Sequence, residues 1–230
     1  MLKLAAAAIA LSLTFAACAP MTAVETANVR VAHLSPNTPN VDVWLDGAVV
    51  PALKNVPFKT VSGYLKIPIG PHKIEVFAAG TTTNPAISVP SLTLEKKNYT
   101  IGAIGLLNGT GAQALKANVY ADDLTTNATK ARVRVVHASP DAPAVDVGVK
   151  GDAPAAAVVK NISFPDATTG YLELAAGVYP LEIRPTGTAT VAFSFNTPAL
   201  EASKVYTVFA VGRLGTAGEF GVVAVADAAQ

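Results

Sequence analysis

Hydrophobic and polar residues alternate along two stretches of the chain that are nearly identical. The first runs from Val29 to Val43 and the second from Val133 to Val147, and both read Val-Arg-Val-x-His-x-Ser-Pro-x-x-Pro-x-Val-Asp-Val. Alternation with a period of two predicts a strand on each side of a loop, where two prolines prevent a continuous ladder. The stretches begin 104 residues apart. This distance indicates duplication of a whole domain and not a solenoid of short repeats.

Shorter alternating segments follow each stretch, and several landmarks recur in both halves. The recurring landmarks are Gly63-Tyr64-Leu65 with Gly170-Tyr171-Leu172, Tyr99-Thr100-Ile101 with Tyr206-Thr207-Val208, and Ala121-Asp122 with Ala226-Asp227. About seven short strands per half, separated by turn signals, predict an all-β protein of two tandem Ig-like antiparallel β-sandwich domains. Tyr99 and Tyr206 each start a late strand after a turn, a placement that resembles the tyrosine corner of Ig-like sandwiches.

The N-terminus predicts export from the cytoplasm. An apolar run from Leu4 to Ala17 is too short to span a membrane and fits a signal peptide. Cys18 is the only cysteine, and the preceding Phe15-Ala16-Ala17 resembles the lipobox of bacterial lipoproteins, with Phe where Leu is usual. That resemblance implies lipid modification of Cys18 and stable anchoring by several acyl chains. The alternative is ordinary cleavage after Ala19 and secretion.

The predicted organisation has five parts. They are a signal peptide over residues 1–17, a lipid-anchored tether over 18–27, a first sandwich over 28–121, a linker over 122–131, and a second sandwich over 132–230. Because the linker is short, the sandwiches are expected to sit end to end with limited swing.

Composition and motifs argue against several classes of function. The net charge is +1 and 14% of residues are charged, which does not fit a nucleic-acid binder. A single cysteine cannot form an internal disulfide. The chain contains no Gly-x-Ser-x-Gly elbow, phosphate-binding Gly-rich loop or His-Glu-x-x-His motif. The sequence therefore gives no motif for an enzyme and no reason to expect a cofactor.

The repeated opening motif, with the later Gly-Tyr and Tyr-Thr landmarks, resembles the DUF4397 family of bacterial and archaeal extracytoplasmic proteins. The resemblance covers nearly all of residues 28–228. It implies a β fold and a location outside the cytoplasm. It implies no activity and no catalytic residue, because the family is a domain of unknown function.

Histidine and serine recur beside the Ser-Pro loop of each copy, as His33 with Ser35 and His137 with Ser139. Strand alternation places both histidines on the side of the inward valines, where we expect them to hydrogen-bond the loop backbone. The serine hydroxyls are expected to cap the same loops. The alternative is a structural metal site at each loop, although such sites normally need three or four ligands.

Acidic and aromatic side chains occupy the outward positions of the next strand, as Asp42, Trp44 and Asp46. Asp42 and its counterpart Asp146 are expected to be exposed and to pair with the arginine of the opening motif. Trp44 has Gly148 as its counterpart, so the repeated fold does not need it. Trp44 could form a platform for a sugar ring or a partner side chain, or it could pack on the tether or the neighbouring domain.

These expectations favour a non-catalytic lipoprotein outside the cytoplasm, anchored to the cell membrane or the outer membrane. It would bind an envelope glycan or protein partner or act as a surface spacer. The alternative function is an enzyme or accessory subunit that acts on cell-wall or extracellular polymer through the repeated histidines and aspartates.

Overall fold

Seventeen strands form four sheets in the computed structural model, which describes residues 23–228. The strands of the first half are β1 (Thr26–His33), β2 (Val41–Leu45), β3 (Ala48–Val49), β4 (Thr60–Val61), β5 (Leu65–Pro68), β6 (Gly70–Ala78), β7 (Ile87–Leu94), β8 (Asn98–Ile104) and β9 (Lys116–Asp122). Those of the second half are β10 (Ala131–His137), β11 (Val145–Val149), β12 (Val159–Ile162), β13 (Leu172–Leu174), β14 (Pro180–Pro185), β15 (Phe193–Asn196), β16 (Val205–Val211) and β17 (Gly221–Asp227). Short 3-10 helices cover Pro51–Leu53, Gly111–Gln113 and Pro154–Ala156.

Each half of the chain is a sandwich of two sheets. The inner sheet of each half faces the other half, and the outer sheet faces away from it. Inner sheet 1 has the order β4-β1-β8-β9, with β5 also paired to β1, and outer sheet 1 has the order β3-β2-β6-β7. Inner sheet 2 has the order β13-β10-β16-β17, and outer sheet 2 has the order β12-β11-β14-β15. The all-β sandwich prediction is confirmed. Each inner sheet also contains one parallel pair, β1 with β8 and β10 with β16, because the chain crosses to the outer sheet before it returns.

The core of each sandwich is built from the alternating positions that the sequence singled out. In the first sandwich, Val29 and Val31 of the inner sheet pack with Val41, Val43 and Val76 of the outer sheet. In the second sandwich, Val135 packs with Val145, Val147 and Ile183, and Val133 packs with Tyr206 and Val208. The strand alternation inferred from the sequence therefore has the correct phase, since a shift by one residue would have turned these valines outward.

Two tyrosines take the predicted corner positions. The Tyr99 hydroxyl accepts a hydrogen bond from the Glu95 backbone N–H at 3.3 Å, and the Tyr206 hydroxyl accepts one from the Glu201 N–H at 3.1 Å. Each phenol thus ties the start of a late strand to the turn before it, as in the tyrosine corner of Ig-like sandwiches.

The two sandwiches meet face to face through their inner sheets, so the expectation that they sit end to end is wrong. Ala32, Leu34 and Ile104 of the first sandwich pack with Val136 and Phe209 of the second, and all five are fully buried. The residues between the core-facing valines of β1 therefore lie against the other sandwich. Sequence alternation shows that a strand has two faces, but not what covers the second one.

The first strands of the two inner sheets run in the same direction, so equivalent loops of both sandwiches lie at the same end of the stack of four sheets. We call the end that carries the Ser-Pro loops (residues 34–40 and 138–144) the tip, and the opposite end the base. At the tip, Lys59 lies beside the end of β1 and donates through Nζ to the Glu219 carbonyl oxygen at 2.9 Å. At the base, the Arg132 guanidinium pairs with Asp123 at 2.7 Å. The chain therefore enters both inner sheets at the base.

Candidate functional site

The two repeated histidines hold the Ser-Pro loops. Nε2 of His33 donates to the Pro39 carbonyl oxygen at 3.1 Å, and Nε2 of His137 donates to the Pro143 carbonyl oxygen at 3.0 Å. This is the bond to the loop backbone that the sequence led us to expect. Both side chains are almost completely buried, and burial lowers the pKa of each imidazole below its ordinary value. The neutral rings leave Nδ1 without a hydrogen-bond partner.

The repeated serines tie each Ser-Pro loop to a neighbouring strand end. The Ser35 hydroxyl donates to the Gly105 carbonyl oxygen at 2.7 Å, and the Ser139 hydroxyl donates to the Gly212 carbonyl oxygen at 2.6 Å. Each hydroxyl also contacts its own loop, as expected: Ser35 Oγ lies 2.6 Å from Thr38 Oγ1, and Ser139 donates to the Asp141 carboxylate at 3.4 Å. At Gly105 the backbone has φ +90°, and a Cβ would lie 2.4 Å from the Ala114 carbonyl oxygen, so the position requires glycine.

In each copy, the histidine and the serine do not hydrogen-bond each other. The Ser35 hydroxyl and His33 Nε2 bond different carbonyl groups, and the same holds in the second copy. A nucleophilic serine needs the histidine itself as its hydrogen-bond partner. The repeated polar groups at the tip fix loop geometry instead.

The repeated aspartates are buried, whereas the sequence pattern predicted that Asp42 and Asp146 would be exposed and paired with arginine. The Asp42 carboxylate accepts from the backbone N–H groups of Asn55 at 2.7 Å and Gly80 at 2.9 Å. Asp146 accepts in the same way from Asn161 at 2.7 Å and from Gly187 at 3.1 Å. The hydrogen bonds from Gly80 and Asn55 lower the pKa of Asp42. Both side chains point out of their sheets, but loops fold over them.

The arginines of the opening motif form a buried network between the two sandwiches. Arg30 of the first sandwich pairs with Asp227 of the second at 2.6 Å, and Arg134 of the second pairs with Asp122 of the first at 2.6 Å. Both guanidinium groups also donate to the Thr207 hydroxyl at 3.1 Å. The two ion pairs are thus reciprocal, as in a twofold-symmetric dimer interface.

Threonine and tyrosine complete the hydrogen bonding of these carboxylates. Thr100 donates to Asp122 and Thr207 donates to Asp227, each at 2.6 Å. Tyr64 donates to Asp122 at 2.6 Å, and burial raises the pKa of its phenol. Sequence reasoning did not assemble this network, although Tyr-Thr and Ala-Asp were among the recurring landmarks. Their joint recurrence was the signal that could have revealed it.

The outward face of β2 is not an open ligand face. The Trp44 ring packs against Phe77 with centroids 5.4 Å apart, and the indole is half-buried. Asp46 is occupied as well, because it accepts from His72 Nδ1 at 2.7 Å and from the Lys73 backbone N–H at 2.8 Å. With Asp42 also buried, the structure does not present the three side chains together to solvent.

The described residues contain no ligand set for the metal alternative. Within residues 23–228, no three His, Cys, Asp or Glu side chains lie close enough together to hold a metal ion. In that same range, no helix is both long and apolar enough to cross a membrane. The predicted signal peptide and the lipidation site at Cys18 lie outside the described residues.

Comparison with known families settles the relationship that the repeated motif suggested. The model of a family described as a domain of unknown function, DUF4397, matches residues 27–148 and 151–230. The chain belongs to the DUF4397 family. No curated protein matches it. Family membership leaves the activity open, so the site geometry has to carry any functional conclusion.

Proposed function

We propose that this DUF4397 protein is a non-catalytic lipoprotein of the bacterial cell envelope whose two sandwiches act as one rigid body. The observation that carries this proposal is the pair of reciprocal ion pairs, Arg30 with Asp227 and Arg134 with Asp122, inside a fully buried junction. Separating the sandwiches would break both ion pairs, which is costly because each buried charge would lose a hydrogen-bonded partner. The duplicated chain is therefore suited to hold a surface at a fixed distance and angle from its anchor.

The direction of the strands supports a role as a spacer or binding module. β1 begins at the base with Thr26, eight residues after Cys18, and runs toward the tip. A tether of eight residues reaches about 26 Å when it is fully extended. A lipid on Cys18 would hold the base near the membrane and direct the loops of both sandwiches away from it.

The state of the repeated polar residues argues against catalysis by them. His33, Ser35, Asp42 and their counterparts all bond backbone groups of their own sandwich. A general acid or base has to reach a substrate proton, and these groups are buried and already bonded. Their recurrence in both copies is explained by the loops that they hold.

The test of this proposal is the intact mass of the full-length protein extracted from membranes of a bacterial host. We expect a chain that begins at Cys18 and carries acyl groups, and we expect Cys18→Ser to lose both the added mass and the membrane association. Ala19→Ser is the matched control and should remain anchored. An unmodified wild-type chain found in the medium would contradict the anchor, and turnover of a cell-wall polymer by the purified protein would contradict the non-catalytic role.

A further inference from the structure

The loop that leads into β13 is one residue longer than its counterpart in the first sandwich. Ser62 and Thr168 are equivalent, because their hydroxyls accept from the backbone N–H groups of Val31 and Val135, at 2.9 and 3.3 Å. These two residues are 106 positions apart, whereas the glycines that follow, Gly63 and Gly170, are 107 apart. Thr169 is the additional residue, and it is exposed.

The next tyrosine has lost its bond to the buried network in the second copy. In the first sandwich, Tyr64 is 5% exposed and donates to Asp122. Tyr171 instead is half-buried, and its hydroxyl accepts a 3.3 Å bond from the Asp123 backbone N–H. Asp227 is bonded by Thr207 and Arg30 instead. The inserted residue thus accompanies the loss of the hydrogen bond between this tyrosine and a carboxylate of the buried network.

The Tyr171 ring is nevertheless held in a fixed place. The guanidinium carbon of Arg132 lies 4.8 Å from the ring centroid, and that of Arg134 lies 5.5 Å from it. Two cations at this distance restrict the motion of the ring. The hydroxyl and the edge of the ring are therefore already in place before any ligand binds beside them.

A cleft opens beside this tyrosine. It has a volume of about 660 Å³ and is lined by residues of the segment 158–172. A smaller recess of about 280 Å³ shares residues 167–171 with it and extends to Asp123 and Arg132 at the junction of the sandwiches. Val158 lines the cleft and is 44% exposed, as one of six exposed large apolar residues within residues 23–228. The volume lies in the range of ligand sites.

We propose that this cleft binds a neutral oligosaccharide, an inference that rests on the proposed envelope function and names its binding site. Thr169 and Asn161 offer a hydroxyl and an amide, which match sugar hydroxyl groups in both donor and acceptor roles. Val158 and the Tyr171 edge offer apolar surface for the C–H groups of a sugar ring. Lys160 and Asp166 contribute opposite charges, so the lining does not select an anion or a cation. The adjoining recess makes room for more than one sugar unit.

The experiment is NMR titration of the ¹⁵N-labelled Cys18→Ser protein with chitotriose, cellotriose and maltotriose. We expect at least one trisaccharide to shift amide signals within 158–172 at concentrations up to about 10 mM, the range of weak binding. Deletion of Thr169 restores the loop length of the first copy and should weaken this binding at least about tenfold. Thr169→Ala serves as a milder variant in case the deletion disturbs folding, and Thr216→Ala, an exposed threonine in a tip loop, is the matched control.

Four outcomes would overturn the proposal. The first two are no shift within 158–172 with any trisaccharide and shifts confined to another surface. The third is an affinity that neither Thr169 variant changes, and the fourth is binding of an extended peptide in the cleft in place of the sugars. None of these results would alter the mass measurement on Cys18, so failure of the sugar site and failure of the anchor are separate observations.

Discussion

The inner and outer sheets of this duplicated protein have diverged to different extents. At the junction, the inner sheets carry the same chemistry in both copies: an arginine on the first strand meets an aspartate on the last strand of the other sandwich. On the outer faces, equivalent positions carry unlike side chains. Trp44 lies opposite Glu75 in one sandwich, whereas Gly148 lies opposite Glu182 in the other.

Equivalent positions on the outer faces hold an aromatic pair in one sandwich and an ion pair in the other. In the first sandwich, Phe77 is 5% exposed and packs on Trp44. Its equivalent in the second sandwich is Arg184, which forms a buried ion pair with Glu182. A Cβ on Gly148 would lie 3.9 Å from Arg184 Nη1, so a longer side chain there would meet the guanidinium. The aromatic pair and the ion pair are therefore alternatives, each fitted to its neighbour.

The difference follows from the geometry of a reciprocal interface. A change at one arginine of the junction affects an aspartate in the other sandwich, so both copies are constrained together. A change on an outer face affects neighbours in the same sandwich only. Duplication thus preserved the surface where the copies meet and left each outer face free to change.

The largest effect is expected from breaking the junction. Arg30→Met removes the cation beside Asp227, whose side chain is fully buried, and should lower the free energy of unfolding by about 3–5 kcal/mol. Urea denaturation measures this loss. The double variant Arg30→Met with Asp227→Leu removes both charges and should recover most of it. A loss below about 1 kcal/mol for the single variant would show that the ion pair does not hold the sandwiches together.

A smaller loss of stability is expected when outer-face residues of the first sandwich are replaced by those that the second sandwich carries at the equivalent positions. Phe77→Arg places a charge against Trp44 and should lower the free energy of unfolding by about 3 kcal/mol. Adding Trp44→Gly makes room for pairing with Glu75 and should recover about 1 kcal/mol or more. Urea denaturation of both variants measures the coupling. Strictly additive losses would contradict the view that these positions change as a pair.

The strands and the inward residues could be predicted because they depend on local alternation. Val29, Val31 and His33 all face the core of their sandwich, as the pattern indicated. The partners of the other strand face could not be predicted, since Arg30 meets a residue 197 positions away. Asp42 shows the same limit, because the loops that cover it lie 13 and 38 positions further along the chain, outside the range of the local alternation.

The candidate site was predictable to a similar degree. The loop bond of His33 follows from a buried polar group beside a loop that offers carbonyl oxygens. The exposed face expected at Trp44 depended on what packs outside the sheet, and Phe77 occupies that place. The cleft beside Tyr171 is lined by an additional residue, Thr169, which becomes visible when equivalent hydrogen bonds fix the alignment of the two copies.

A moderate loss of stability in both sandwiches is expected from removing the hydroxyl groups of the tip serines. Ser35→Ala and Ser139→Ala each leave a buried glycine carbonyl oxygen without its donor, which should lower the free energy of unfolding by about 1–2 kcal/mol. Thermal or urea denaturation measures the change. Thr110→Ala, at an exposed tip position, is the control and should change little. No measurable loss in either serine variant would mean that these hydroxyl groups do not hold the tips.

The smallest effect is expected at a base turn where the copies use different side chains. His72 donates through Nε2 to the Pro68 carbonyl oxygen at 2.8 Å and through Nδ1 to Asp46 at 2.7 Å. The equivalent Tyr179 donates its hydroxyl to the Ala175 carbonyl oxygen at 2.9 Å, without a charge. Two acceptor groups favour the doubly protonated imidazole. Although burial opposes it, the bonds to Asp46 and Pro68 raise the pKa of His72 above its ordinary value.

The variant His72→Tyr therefore tests how much the positive charge of His72 contributes to the free energy of unfolding. Because the folded pKa is raised, the stabilisation by His72 is fully present below the unfolded pKa of about 6.5 and is lost as the pH rises through the folded pKa. Wild type should exceed the variant in free energy of unfolding by about 0.5–1 kcal/mol near pH 5.5, and the difference should shrink toward pH 9. Urea denaturation across this range measures it. A difference that stays constant, or that grows with pH, would mean that the second nitrogen is not held as a proton donor.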